Sequence, residues 1–184
     1  MSISKVFRDQ VIAAIPSLRA FGLSLSARGD RADDLVQETL MKAWKHHDSF
    51  EPGSNMKAWL YTILRNEFYT QLRKRKREVE DADGFYSNKV AVHAEQEGHL
   101  EMADLRSALA KLPDDQREAL MLVGASGFSY EEAAEICKVA VGTIKSRVNR
   151  GRAKLVELLD VGAAEKFGPD SNTAAVINSP ARNL

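Results

Sequence analysis

Six side chains near the C-terminal end of the chain combine hydrogen-bonding and cationic groups at a spacing suited to contacting nucleic acid. They are Thr143, Lys145, Ser146, Arg147, Asn149 and Arg150. A helical wheel places most of them opposite a mainly apolar stripe. The members of that stripe are Ile144, Val148, Gly151 and Leu155. Lys145 and Arg150 can bond guanine edges, and Thr143 at the helix start can donate to a phosphate. The pattern therefore predicts a helix that fits the major groove of DNA.

A short helix immediately upstream is predicted by local signals around Ser129. Ser129-Tyr-Glu-Glu132 has the form of a capping box, in which a serine and a glutamate three positions later satisfy each other's backbone donors. Cys137-Lys-Val-Ala-Val-Gly142 then fits the turn between the two helices of a helix-turn-helix. The alternative is a solvated basic helix in a four-helix domain, which accounts for neither the capping box nor the turn.

A second basic helix is predicted far away in the sequence, over Met56–Arg77. One of its faces mixes cations, an amide and an aromatic ring. The candidate nucleic-acid contacts on this face are Arg65, Asn66, Tyr69, Arg73 and Lys76. Cations follow phosphates, while rings and amides can hold a base that has left its stack. The five consecutive cations Arg73–Arg77 are also compatible with a solvated basic tail.

Helical spacing dominates the chain, and sustained period-2 alternation is absent. Helices are predicted at about Lys5–Leu25, Asp33–His46, Met56–Arg77, Leu100–Lys111, Asp114–Val123, Ser129–Cys137 and Val141–Leu159, with a turn at Arg28–Arg31. We therefore expect an all-α protein with two small helical domains joined by a flexible acidic linker. The expected boundaries are residues 1–77 for the first domain, 78–99 for the linker, 100–160 for the second domain and 161–184 for a disordered tail.

Charge is segregated along the chain, although 26 Lys/Arg and 26 Asp/Glu give a formal net charge of zero. Residues 1–77 contain 14 Lys/Arg and 8 Asp/Glu, whereas residues 78–110 contain 2 and 8. Such segregation creates a local electrostatic footprint that the net charge conceals. The distribution therefore allows nucleic-acid binding and marks the acidic stretch as a linker.

Enzymatic chemistry is not expected from this composition. The lone Cys137 has no partner thiol and is interpreted as a small core residue. The four histidines show no metal-ligand spacing, which argues against an enzyme acting on nucleic acid. We expect no catalytic residue, metal site, cofactor or small-molecule substrate. The sequence shows neither a signal-peptide core nor an apolar run of about 18 residues, so a cytoplasmic protein with no membrane partner is expected.

Five motifs in this order resemble the bacterial extracytoplasmic-function (ECF) sigma factors. They are Asp33–Trp44, Trp59–Asn66, Leu112–Arg117, Tyr130–Glu135 and Val141–Arg147. The loop Phe50–Asn55 and the stretch Arg73–Glu80 are most similar to the general-stress EcfG-type subgroup. The resemblance implies a sigma region 2 domain at residues 1–77 and a sigma region 4 domain at residues 100–160.

The resemblance also implies a role for particular residues. The docking helix for the β′ clamp of core RNA polymerase would use Asp33, Asp34, Leu35, Gln37 and Glu38. The loop Ser49–Met56, which contains Asn55, would capture a flipped base of the −10 promoter element together with Asn66. The six residues on the C-terminal helix would read the −35 element.

The implied function is promoter-specific transcription initiation, with stress-response genes as the expected targets. The implied partners are core RNA polymerase (β′ clamp and β flap), promoter DNA and an anti-sigma factor of the NepR type. When bound to polymerase, the protein would be associated with the nucleoid. The alternative is a sigma-like decoy that binds an anti-sigma factor without binding DNA. Such decoys lose the cationic reading face, and this chain retains Lys145, Arg147 and Arg150.

Overall fold

The computed structural model describes residues 4–26, 28–81 and 100–159. These residues form α1 (Lys5–Ser26), α2 (Gly29–Lys45), α3 (Met56–Asp81), α4 (Leu100–Ala110), α5 (Asp114–Leu120), α6 (Tyr130–Cys137) and α7 (Val141–Leu159). A 3₁₀ turn at His47–Ser49 follows α2, and a π-helical turn at Met121–Ala125 follows α5. The described residues contain no strand, which confirms the all-α prediction.

The N-terminal domain consists of α1, α2 and α3, which all contact one another. Its core is apolar and aromatic, with the ring centroids of Phe21 and Tyr61 stacked 4.7 Å apart. The prediction of a turn at Arg28–Arg31 was wrong, because α2 begins at Gly29. Ala32 is fully buried against α1, and Asp30 lies in the first helical turn, where a negative charge is favourable. Packing and the helix dipole thus extend the helix through a turn-like sequence.

The C-terminal domain consists of α4 to α7, with α5 and α6 both packed on α7. The capping box is confirmed: Ser129 Oγ accepts from the Glu132 N–H at 3.0 Å, and Glu132 Oε2 accepts from the Ser129 N–H at 2.9 Å. Lys138 ends α6 in the left-handed conformation with φ 55°, which reverses the chain toward α7. The fifth helix was predicted to reach Val123, but α5 ends at Leu120 and continues as the π-helical turn.

The third helix is longer than predicted, since α3 runs to Asp81 instead of ending at Arg77. The first residues assigned to the linker, 78–81, are therefore helical. The remainder of that assignment, 82–99, and the tail at 161–184 lie outside the described residues. Among the helices described, none combines the length and apolarity required to cross a membrane.

Candidate nucleic-acid interface

The predicted reading face of α7 is open to solvent. Its apolar stripe is packed, with Ile144, Val148 and Gly151 buried. On the opposite side Lys145, Asn149 and Arg150 are exposed, while Thr143 and Ser146 are half-buried. Arg150 Nη2 donates to Ser146 Oγ at 2.6 Å, and the Lys145 ammonium lies 5.8 Å from the centroid of the Tyr130 ring. The helix thus displays two oriented cations and an amide on one accessible surface.

Arg147 differs from the other candidates on α7, because it is engaged within the protein. Its Nε lies 3.0 Å from Asp115 Oδ2 on α5, and its side chain is only 20% exposed. The ion pair holds the start of α7 against α5. Among the six predicted readers, Arg147 is therefore the one placed to orient the helix, and its contact with DNA stays a prediction.

The corresponding face of α3 is covered by the C-terminal domain. Arg65 Nε lies 2.7 Å from Glu118 Oε1, and the Tyr69 hydroxyl donates to Glu118 Oε2 at 3.3 Å. The Arg65 guanidinium also lies 4.7 Å from the centroid of the Tyr69 ring. Glu118 is fully buried in this contact. Two side chains predicted to touch DNA are thus occupied by one carboxylate of α5.

Burial determines the titration of the groups around Glu118. It raises the pKa of the Glu118 carboxyl above its ordinary value, although the Arg65 guanidinium opposes this change. It also raises the pKa of the Tyr69 hydroxyl, and the nearby Glu118 carboxylate acts in the same direction. Cys137 is 3% exposed, and burial together with Glu118 raises the pKa of its thiol to about 12. Cys137 is therefore protonated, and the prediction that it is a small core residue is confirmed.

Further polar contacts join the two domains around the same face. Asn55 Nδ2 donates to Glu132 Oε1 at 2.8 Å, so the predicted loop amide is also occupied. Lys57 Nζ donates to the Ser126 carbonyl at 2.6 Å. On the other side of the contact, Arg117 donates to the Leu25 carbonyl at 3.2 Å. The predicted residues Asn66, Arg73 and Lys76 are exposed in this arrangement.

A cavity of about 270 Å³ opens between α2 and α3, on a different side of α3 from Glu118. Its lining residues are Lys42, His46, Ser49, Trp59, Ile63 and Asn66. The cavity thus offers an indole ring, an amide, a hydroxyl and a cation. Of these residues only Asn66 was an individually assigned site residue, although Ser49 lies in the loop expected to capture a base. The spacing of Trp59, Ile63 and Asn66 marks one face of α3, but only packing shows that this face meets Lys42 of α2 and His46, the residue that follows α2.

The predicted polymerase-docking residues of α2 divide into surface and core. Asp33, Asp34 and Gln37 are exposed, and Glu38 is half-buried. Asp33 accepts from Arg19 of α1 at 2.6 Å, and this hydrogen bond holds the pKa of the Asp33 carboxyl below its ordinary value. The assignment of Leu35 to polymerase docking needs correction. Leu35 is 1% exposed, so its side chain belongs to the core and cannot contact a partner.

No group of three or more histidine, cysteine or acidic side chains suited to holding a metal ion occurs among the described residues. The described residues instead place cations, amides and aromatic rings on and around two separate helices, α3 and α7. This set of groups suits the backbone and bases of a nucleic acid.

Comparison with known proteins identifies the family. The sequence matches the family models for Sigma-70 region 2 over residues 11–78 and Sigma-70, region 4 over residues 102–155. It is 62% identical to the ECF RNA polymerase sigma factor EcfG of Rhodopseudomonas palustris (strain TIE-1), over 96% of this chain and 98% of that protein. The chain belongs to the ECF sigma factors. This confirms the resemblance drawn from the five motifs, including its EcfG-type subgroup.

More distant sigma factors are also similar. The ECF sigma factor SigM of Bacillus subtilis (strain 168) is 34% identical over 79% of this chain and 90% of its own length. A chain in the co-crystal structure of the sigma factor RpoE with the anti-sigma factor NepR from Bartonella quintana superposes with a TM-score of 0.79 and 59% identity. That match covers 86% of this ECF sigma factor and 99% of the other chain, so it includes both domains.

Proposed function

We propose that this ECF sigma factor binds core RNA polymerase and directs initiation at a specific class of promoters, those of stress-response genes. One observation carries the proposal. The chain presents an open face of cationic and amide donors on α7 and a base-sized cavity on its other domain. Two separate DNA-binding features in one chain suit a protein that grips two promoter elements at once. The similarity to EcfG agrees with the EcfG-type resemblance, which is the source of the expected stress-response targets.

The −35 element is assigned to α7. Lys145 and Arg150 are placed to bond guanine edges, while Ser146 and Asn149 can contact bases or phosphates. Thr143 lies in the first turn of the helix, where backbone N–H groups favour a phosphate. The ion pair between Arg147 and Asp115 holds α7 against α5. Sequence discrimination would therefore come mainly from the exposed residues.

The −10 element is assigned to α3 and the loop before it. Extruding a base costs a few kcal/mol, and a fitted pocket with phosphate contacts must offset that cost. The cavity beside Asn66 supplies stacking and hydrogen-bonding groups, and Arg73 and Lys76 continue along the same helix as phosphate contacts. Binding energy, with no covalent chemistry, would drive strand separation. We accordingly expect no enzymatic activity and no cofactor.

The full set of −10 contacts requires the two domains to separate. Arg65 and Tyr69 are held by the buried Glu118, so these bonds must break before either side chain can contact DNA. Asn55 is exposed, but it donates to Glu132 of the other domain. A similar two-domain chain is found in a structure with NepR. We infer that an anti-sigma factor of the NepR type holds the packed arrangement and that core polymerase binds the separated one.

Polymerase docking is assigned to the exposed part of α2, namely Asp33, Asp34, Gln37 and Glu38, for the β′ clamp. The C-terminal domain would rest on the β flap. Asp33 and Gln37 also line an apolar groove of about 360 Å³ between α1 and α2. The acidic docking surface therefore has a concave apolar part beside it. The protein would act in the cytoplasm, associated with the nucleoid while bound to polymerase.

In vitro transcription with core polymerase and a template library randomised over both promoter elements tests the function. Transcripts are expected to enrich for one −35 and one −10 sequence at a fixed spacing. A chain that enriches no template while still binding an anti-sigma factor would be the decoy, and the proposal would be wrong.

The docking assignment has its own test. Asp34→Arg is expected to abolish binding to core polymerase in a pull-down while leaving the circular dichroism spectrum unchanged. The matched control is Asp9→Arg, the same charge reversal on an exposed residue of α1. Normal binding by Asp34→Arg, or equal loss in both variants, would contradict the assignment.

A further inference from the structure

The cation at the cavity between α2 and α3 is held by a buried carboxylate. Lys42 Nζ forms an ion pair with Glu67 Oε2, which reaches across from α3. Glu67 Oε1 also accepts from Gln71 Nε2 at 3.0 Å. Lys42 lines the cavity, whereas Glu67 does not. The carboxylate therefore lies behind the lysine as seen from the cavity.

Glu67 has the burial of a core residue and the charge of a surface one. The whole residue, backbone included, is 9% exposed. It lies on the same side of α3 as Leu60 and Leu64, a position where an apolar side chain would ordinarily serve. Burial alone would raise the pKa of its carboxyl, but hydrogen bonds from Lys42 and Gln71 outweigh that effect and lower it. Glu67 is thus ionised at neutral pH. A buried charge of this kind is costly unless it is paired.

Lys42 is only partly immersed in this contact. Its side chain is 46% exposed, against 11% for Glu67. A lysine ammonium has three N–H donors, so the bond to Glu67 leaves donors available at the cavity. Lysine otherwise carries a large rotamer entropy, which a free side chain would lose upon binding a ligand. The ion pair removes that freedom in advance.

We propose that Glu67 is a positioning residue that fixes the Lys42 ammonium at the cavity, so that its remaining donors contact the captured base or the adjoining phosphate. The inference rests on the proposed capture of a −10 base at this cavity. It assigns part of the base selectivity to a carboxylate that does not itself touch DNA. Glu67 acts through Lys42, so its effect on selectivity exists only while Lys42 is present.

A double-mutant cycle on the full chain bound to core polymerase tests this. Open-complex formation is measured for wild type, Glu67→Gln, Lys42→Ala and the double variant, on promoters that carry each of the four bases at the captured −10 position. A fluorescent base analogue locates that position beforehand. Each single variant is expected to reduce discrimination among the bases roughly three- to tenfold, the scale of the net contribution of one ordinary hydrogen bond. The double variant is expected to match Lys42→Ala.

The readout separates positioning from a structural role. Glu157→Gln, which removes the ion pair with Lys154 on α7, is the matched control and should leave the base ratios unchanged. If Glu67→Gln lowers the melting temperature but keeps the wild-type base ratios, or still reduces them in the Lys42→Ala background, the inference is overturned. If Lys42→Ala and Asn66→Ala both leave the base ratios intact, the cavity is not the capture site and the proposed −10 assignment itself fails.

Discussion

The predicted reading faces of α3 and α7 have similar chemistry but opposite surroundings. Both carry cations and an amide on one side of a helix. On α7 those groups are accessible to solvent, and Arg150 donates to Ser146 of its own helix. On α3 the guanidinium of Arg65 and the hydroxyl of Tyr69 are bonded to Glu118 of the other domain. A cationic face can therefore be ready for DNA or already occupied, and its sequence pattern does not distinguish the two.

The contacts that occupy α3 resemble those that DNA would make. Glu118 forms an ion pair with Arg65 at 2.7 Å, and Glu132 accepts a hydrogen bond from Asn55 at 2.8 Å, where phosphate oxygens would otherwise accept. A buried ion pair adds little net stability, because the gain in attraction is offset by desolvation. The domain contact is therefore suited to reversible opening. The α7 face needs no such opening.

Reversing the charge of Glu118 should remove the difference between the two faces. Glu118→Lys places a cation against Arg65. The packed arrangement should lose about 3–5 kcal/mol of stability or more, because that is the typical cost of breaking a buried ion pair. Small-angle scattering should show a larger radius of gyration. Glu157→Lys, on the exposed end of α7, is the control and should keep the compact shape. An unchanged radius in Glu118→Lys would show that the ion pair does not hold the domains together.

Removing a reader from the open face should affect sequence discrimination without any change in shape. Arg150→Ala is expected to weaken promoter binding by about 1–3 kcal/mol and to relax selectivity at one base pair of the −35 element. Arg152→Ala, on the flank of the same helix, should weaken all sequences alike. Binding measured on a panel of −35 variants distinguishes these patterns. Equal losses on every sequence in Arg150→Ala would argue against base reading.

The packing of α7 on α5 links the two faces, because α5 also carries Glu118. A Cβ on Gly151 would lie 2.6 Å from Leu120 Cδ1, whereas one on Gly142 would meet nothing within 4 Å. Gly151→Ala should therefore destabilise the domain by about 1–2 kcal/mol through overpacking. Gly142→Ala should be neutral or slightly stabilising, because alanine favours helix. Thermal unfolding compares them, and equal melting temperatures would mean that Leu120 moves aside freely.

The smallest expected effect is a pH dependence of the covered face alone. The pKa of Glu118 is raised in the packed state, so packing binds protons. The stabilisation of the packed state by protonated Glu118 is fully present below the ordinary carboxyl pKa of about 4.3. It is lost as the pH rises through the raised pKa of Glu118. Energy transfer between dyes on the two domains should therefore fall as the pH rises through that value. The change should be absent in Glu118→Gln, and a change of equal size there would assign it to another group.

The sequence predicted most of the local structure because the signals involved are local. Ser129 and Glu132 cap α6 as their spacing indicates, and Ile144 and Val148 are buried as their periodicity requires. The errors lie at boundaries set by packing. Ala32 is buried against α1 and extends α2 through a turn-like sequence, and Leu35 is in the core although the motif suggested a docking role. The cavity was missed because Lys42 and Asn66 lie on different helices.

The amino-acid sequence by itself determined most of the helices, the presence of two domains and the family, and it predicted the candidate readers on α7. These inferences depend on spacing within one segment and on motifs in order. Only the tertiary structure decided which cations are available. Arg65 and Glu118 are far apart in the chain, as are Lys42 and Glu67, and no periodicity pairs them. The physical reason is that burial and charge pairing are properties of contacts between segments. Such contacts determine whether the same guanidinium or ammonium faces water, a carboxylate or a cavity.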